Sequence, residues 1–233
     1  MIHVRKADQR GHAQHGWLNE YHTFSFAEYA DPDFMGFRSL RVINEDRIAA
    51  GTGFGTHGHR DMEIITYVLG GALKHSDSLG NGGVLHRDRI QRMRAGSGIR
   101  HSEFNGSDKD ELHLFQIWLL PDKNGLPPAY EDRTFDPADA EGKWQLLVSP
   151  NGREGSLDIA TDANLRRVFL KPDEEVTLEL PPGRHAWVQL AQGQVLLNET
   201  SELSSSDAAS LSGEKQLKLK AVAATEALVF DLA

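Results

Sequence analysis

Short apolar runs, each closed by glycine, proline or a small polar cluster, recur along the whole chain. Their length and their content of Val, Ile, Leu, Phe, Tyr and Trp fit strands better than helices. The clearest predicted strands cover 40–44, 62–69, 112–120, 145–148, 166–170, 187–191 and 227–231. Gly70-Gly71, Asn81-Gly82-Gly83 and the stretch from Asp122 to Gly125 read as turns. Long helical periodicity is absent. Short helices are expected only over 25–29 and near 136–140. The pattern predicts an all-β chain built as a sandwich or barrel, and its 22 glycines and 9 prolines supply the breaks.

The pattern is also repeated. Tyr67-Val68-Leu69-Gly70-Gly71 resembles the stretch from Val188 to Gly193, at an offset of about 122 residues. Asp88 to Met93 resembles Asp207 to Ser212, at an offset of about 119. Between the halves, 122–143 is polar and poor in aliphatic residues, which suggests a connection. Two domains are therefore expected, 1–135 and 136–233.

Composition narrows the function classes. The 233 residues can bury a sizeable core. Lys+Arg 25 against Asp+Glu 34 gives a net charge of −9. An acidic chain without a basic cluster is a poor direct ligand for nucleic acid. No cysteine is present, which excludes disulfides and thiol catalysis and fits a reducing compartment. The start shows no apolar signal region and no stretch is apolar enough to span a membrane, so a cytoplasmic protein is expected. Nothing in the chain suggests assembly, and a monomer is expected.

Candidate chemistry lies in two short pairs, His57-Gly58-His59 and His101-Ser102-Glu103. On a strand, residues i and i+2 share a face. If both pairs lie on strands of one closed sheet, three imidazoles and a carboxylate converge inside it. Such a set with open positions suits a redox-active divalent metal better than a closed, thiolate-rich structural site. From Gly51 the chain reads Gly-x5-His57-x-His59-x3-Glu63-x6-Gly70, which matches the first motif of the cupin superfamily. The second motif is matched at Gly98-x2-His101-x3-Asn105, while Ile90 and Gly96 replace its usual Gly and Pro. In the ordinary cupin pattern the carboxylate ligand would be Glu63.

The resemblance sharpens at His22-Thr-Phe-Ser-Phe26, Tyr29, Asp31-Pro32, Met35-Gly-Phe37, Leu40-Arg-Val-Ile-Asn44 and Gly53-Phe54. It continues through Asp61 to Leu69, Ala95-Gly-Ser-Gly98, His101-Ser-Glu103-x-Asn105, Leu112 to Trp118 and Pro121. These stretches resemble the pirin family, densely over 1–135 and thinly beyond, and in particular its bacterial members described as quercetin 2,3-dioxygenases. Gly58 stands where the family usually has proline, and Gly70 where it often has glutamate. The resemblance implies a bicupin of two antiparallel β-barrels. It implies one divalent metal in the N-terminal barrel, held by His57, His59, His101 and Glu103. Fe(II) is the expected ion, with Mn, Co, Ni, Cu or Zn as alternatives. Glu63 then becomes a neighbour that orients a ligand or a buried structural carboxylate.

The implied activity is ring-opening dioxygenation of a flat aromatic flavonol such as quercetin by O2, with Glu103 as the catalytic base. The same ligands would serve a metal- or redox-responsive regulatory protein that binds a protein partner. They would also serve a cupin that uses its metal without O2. In the second half the aligned ligand positions hold Glu179, Pro181, Lys220 and Val222, so that domain is expected to be a scaffold without metal. His12, His15 and His113 read as structural or surface histidines. Phe24, Phe26, Phe34 and Phe37 are candidates for a pocket wall or for core.

Overall fold

The computed structural model describes all residues 1–233. In chain order the strands are β1 (Ile2–Arg5), β2 (Gly11–Gln14), β3 (Leu18–His22), β4 (Leu40–Ile48), β5 (Gly53–His59), β6 (Glu63–Gly70), β7 (Ala72–Asp77), β8 (Gly82–His86), β9 (Arg89–Arg94), β10 (Ile99–Asn105), β11 (Leu112–Leu119) and β12 (Ala129–Thr134). The remainder are β13 (Gln145–Ser149), β14 (Leu157–Asp158), β15 (Ala163–Leu170), β16 (Glu175–Glu179), β17 (His185–Gln192), β18 (Gln194–Leu197), β19 (Ser201–Ser204), β20 (Ala208–Ser212), β21 (Gln216–Ala221) and β22 (Thr225–Leu232). Every predicted strand is present and most are longer than the apolar run that announced them. The extra residues are polar ones carried along in the ladder, such as Glu45 and Asp46 in β4. The short helix expected over 25–29 is instead a tight turn, closed by a Phe26–Tyr29 bridge. The one near 136–140 is a single 3-10 turn, Pro137–Ala140, capped by the Asp136 side chain.

The chain divides into two compact units. One holds Gly11–Phe135 with Ile159–Thr161, and the other holds Asp136–Asp158 and Asp162–Ala233 with Met1–Arg10. The first ten residues thus depart from the expected 1–135 division. The reason is a ladder: β1 pairs antiparallel with β20, from Ile2 opposite Leu211 to Arg5 opposite Ala208. Backbone pairing of an apolar edge strand outweighs sequence proximity here.

Each unit contains a seven-stranded and a four-stranded sheet, and the two units repeat one order. In the first, the sheets run β12-β9-β6-β11-β4-β3-β2 and β5-β10-β7-β8. In the second they run β1-β20-β17-β22-β15-β13-β14 and β16-β21-β18-β19. The only parallel strand pair is β13 with β14. The interior of the second unit is aliphatic, formed by residues such as Val176, Val195, Leu197, Leu217, Leu219 and Val229. Glu179 lies opposite Gln216 in that unit, and Lys220 opposite Glu175. The strand equivalent to β10 is therefore displaced from the register that the sequence repeat suggested, and neither register supplies an imidazole.

Two glycines fix the frame around the first unit's smaller sheet. Gly71, at φ +82°, makes the β6–β7 turn, and a Cβ there would come within 2.7 Å of the Glu111 carbonyl oxygen. At Gly53 a Cβ would lie 2.3 Å from the Glu103 carbonyl oxygen. Only a bare backbone lets β5 lie so close to β10.

Candidate metal centre

The site is built where β5 and β10 pair. His101 lies opposite His57, Arg100 opposite Gly58 and Ile99 opposite His59. Past His101 the register slips, so that Glu103 faces Phe54. This bulge places one extra residue on β5 and re-aims its side chains, as bulges beside active sites commonly do. Strand alternation puts Ile99, His101, Glu103 and Asn105 on the buried face of β10.

The three expected histidines converge. The metal-capable atoms of His57, His59 and His101 all lie within 4.8 Å of one another. His57 Nε2 and His101 Nε2 are 3.0 Å apart. His57 Nδ1 donates to the Gly55 carbonyl at 2.9 Å, which leaves a bare lone pair at Nε2. Burial, then the neighbouring His57, pushes His59 down to about 4. Burial, then His57, His59 and His75, pushes His101 down to about 3. His59 and His101 are thus neutral at physiological pH, the form in which imidazole ligates a metal. Two nitrogens bound at right angles to a common ion at about 2.1 Å would themselves be about 3 Å apart. The donor set therefore fits a divalent transition metal.

Glu103 falls in an overlapping grouping, with His101 and His75, again within 4.8 Å. His101 is common to both groupings. Glu103 is almost completely buried. Gln116 Nε2 donates to its Oε2 at 2.8 Å, and the Thr66 hydroxyl lies 3.4 Å from its Oε1. Burial raises its carboxyl to about 7, against the opposing pull of its Thr66, Gln91 and Gln116 hydrogen bonds. A carboxyl so placed can exchange a proton near neutral pH.

Glu63 is arranged differently. Its side chain is fully buried and accepts from Arg94 Nε at 2.7 Å. It belongs to neither histidine grouping. Its observed partner is therefore an arginine, at Oε1, while its Oε2 is buried without a hydrogen-bond partner. The cavity beside the histidines is lined by Phe26, Phe54, Ile64, Trp118, Gln116 and Glu103, with Glu20, Asn44 and Asp46 on one wall. Of the four phenylalanines considered from sequence, only Phe26 lines it, and Phe24 is buried in the core.

His75, which has no role assigned from the sequence, also lies beside the site. It sits opposite Glu103 on β7, has a fully buried side chain, and stacks on Tyr130 with ring centroids 4.9 Å apart. Its Nε2 lies 3.4 Å from Asp77 Oδ2, and its Nδ1 is buried without a hydrogen-bond partner. The available signal was alternation, since Leu73, His75 and Asp77 share one face of β7. Burial, opposed by Asp77, lowers its pKa. His12, by contrast, pairs with Asn19 at 2.7 Å and His113 with Glu45 at 2.9 Å, as structural histidines do.

Comparisons with known proteins agree with this geometry. A family model described as Pirin matches residues 3–119, and one described as Quercetinase C-terminal cupin domain matches 146–232. A quercetin 2,3-dioxygenase of Escherichia coli (strain K12) is 49% identical over 232 residues, covering 100% of this chain and 99% of that protein. The crystal structure of YhhW from Escherichia coli superposes with a TM-score of 0.96 at 48% identity, covering 100% of this chain and 98% of that one. A second structure, the bacterial pirin YhhW in complex with nickel(II), gives a TM-score of 0.95 at 48% identity, covering 100% and 99%. Two sheet pairs in repeated order, a histidine cluster in the first unit and matches along both halves lead to one assignment: this all-β bicupin chain belongs to the pirin family.

Proposed function

We propose that the chain opens the heterocyclic ring of flavonols such as quercetin with O2, using one divalent transition metal held by His57, His59, His101 and Glu103. The observation that carries this reading is the convergence of three imidazoles beside a buried carboxyl, at the edge of an aromatic-walled cavity. The full-length similarity to an Escherichia coli quercetin 2,3-dioxygenase supports it. Fe(II) is the expected ion, and the nickel(II) complex of a relative supports a divalent ion without selecting iron. When bound, the metal acidifies a coordinated enol and supplies the redox chemistry of O2 activation.

The protein's own groups have distinct tasks. Glu103 accepts the proton of the substrate's enol hydroxyl, and Gln116 holds the carboxyl in place through its hydrogen bond. Gly55 fixes the His57 tautomer, so the ring presents its Nε2. Phe26, Phe54, Ile64 and Trp118 receive the flat rings and exclude water. A free-standing cytoplasmic monomer without direct nucleic-acid contact completes the proposal.

Oxygen consumption tests it. Metal-loaded protein should take up O2 with quercetin and bleach the flavonol absorbance. A fully metallated chain that consumes no O2 would overturn the reading in favour of a metal-responsive regulatory protein.

A further inference from the structure

The cavity has a polar wall that the chemistry above does not use. On β4, Asn44 and Asp46 point the same way and are almost completely buried. Asp46 lies between Leu114 of β11 and Glu20 of β3 in the ladder. Three of the wall's polar groups are occupied. Asn44 Oδ1 meets His22 Nδ1 at 3.1 Å, Gln116 donates to Glu103, and Glu20 lies 3.6 Å from His15 Nε2 and 3.9 Å from His22 Nε2. Asp46 is the exception. It lines the cavity, its residue is 3% exposed, and its Oδ1 is buried with no hydrogen-bond partner.

A buried carboxyl oxygen without a partner is costly unless something supplies one in the working state. A second metal does not meet the need, because only the two histidine-containing groupings have donor atoms close enough to share an ion. An anion is disfavoured by Glu20 and Glu103 on the same cavity. A neutral hydroxyl meets it well, since it can donate to the carboxylate or accept from the carboxylic acid. Burial, then Glu20, Glu103 and Glu45, raises the Asp46 carboxyl well above the ordinary range, which adds the donor form to its repertoire.

We infer that Asp46 is a specificity-determining residue that hydrogen-bonds a hydroxyl of the substrate other than the enol, so that the cavity selects polyhydroxylated flat aromatics over bare ones. The inference rests on the flavonol reading and deepens it. The Phe26 and Phe54 walls accept any flat ring and cannot make this distinction. Trp118 Nε1, also without a partner, can only donate, so Asp46 is the one unpartnered carboxyl here that accepts from a hydroxyl. One hydrogen bond to a buried carboxyl can make the distinction, because the analogue lacking the hydroxyl leaves that group unpaired.

Anaerobic calorimetric titration of the full chain loaded with nickel(II) tests this apart from turnover. Quercetin and 3-hydroxyflavone share the enol and the carbonyl and differ in the remaining hydroxyls. The native chain should bind quercetin at least about 10-fold more tightly. Asp46→Leu should reduce that ratio by about 10-fold, and Asp46→Asn, which keeps a hydrogen-bonding head, should retain most of it. Metal content and melting temperature report that both variants are folded and loaded. Equal preference in the native chain, or a ratio unchanged in a loaded Asp46→Leu, would overturn the inference even if O2 uptake is normal. An Asp46-dependent preference without O2 uptake would support it and overturn the ring-opening reading instead.

Discussion

Among single residues, three buried carboxyls of the first unit have different partners. Glu103 has neutral donors, Glu63 has Arg94 at Oε1 and nothing at Oε2, and Asp46, which unlike Glu63 lines the cavity, has no partner at Oδ1. Glu103→Gln keeps size and polarity but cannot take a proton. Its kcat should fall by about 10²-fold or more with metal still present, and His101→Ala should lose both metal and turnover, as metal analysis beside O2 uptake would show. Glu63→Ala leaves Arg94 facing an empty buried site. It should cost on the order of 3 kcal/mol in denaturant unfolding while the folded protein retains its metal stoichiometry. Asp46 makes a prediction about pH. Its folded-state pKa is raised, so the native state holds the proton more tightly than the unfolded chain does. Its burial therefore destabilises the protein as pH rises through the unfolded value towards the folded one, and the penalty is absent below both. Metal-free Asp46→Asn should melt higher than the native sequence at pH 8, and the gain should shrink towards zero near pH 3. A gain independent of pH would refute the titration argument.

At the scale of elements, the edge strand β5 carries two of the proposed ligands and is the place where flexibility matters. It contains Gly53, Gly55 and Gly58, and Gly53 is required by its approach to β10. Gly58 is not required in the same way. A Cβ there meets only ordinary contacts, the nearest being the Ile99 carbonyl oxygen at 3.7 Å. Gly58→Ala should therefore stabilise the fold by about 0.5 kcal/mol or more, mainly by restricting the unfolded chain, and should tighten metal binding slightly. Thermal melting and metal competition titration would show it, and a destabilised variant would mean that the strand needs glycine for a reason other than space. From the sequence, the His-x-His and His-x-Glu pairs converge only on the condition that both lie on strands of one closed sheet, and the direct pairing of β5 with β10 is what meets it. The bulge that offsets Glu103 from His57 was not legible, because it arises from pairing between strands and leaves no mark on either sequence alone.

At the scale of the whole molecule, one scaffold is used twice and its interior is filled in two ways. The second unit closes around leucine and valine, while the first leaves a cavity ringed by histidine, carboxyl and aromatic groups. Both histidine groupings lie in the first unit. Metal that binds only the folded state at 100 times its dissociation constant adds about 2.7 kcal/mol, so calorimetry should show the unfolding of this unit moving up by several degrees on metal loading and returning on chelation. A shift confined to the unfolding of the second unit would contradict the placement of the site.

The sequence alone did not reveal polar strands such as β5 and β10, but it determined the all-β class, the strands with the clearest apolar runs, the repeat and the candidate histidines. These follow from local rules: apolar runs of strand length, turn residues with their φ requirements, and the i, i+2 geometry that puts His57 and His59 on one face. What lies opposite what was set by pairing between distant strands. Folding joined β1 to the C-terminal unit, paired Glu63 with Arg94, brought His75 beside Glu103 and left Asp46 Oδ1 without a partner in the cavity wall. Each of these depends on cross-strand register between segments distant in sequence. The energy that sets register comes from burying a whole face at once, so no single stretch of the chain encodes it.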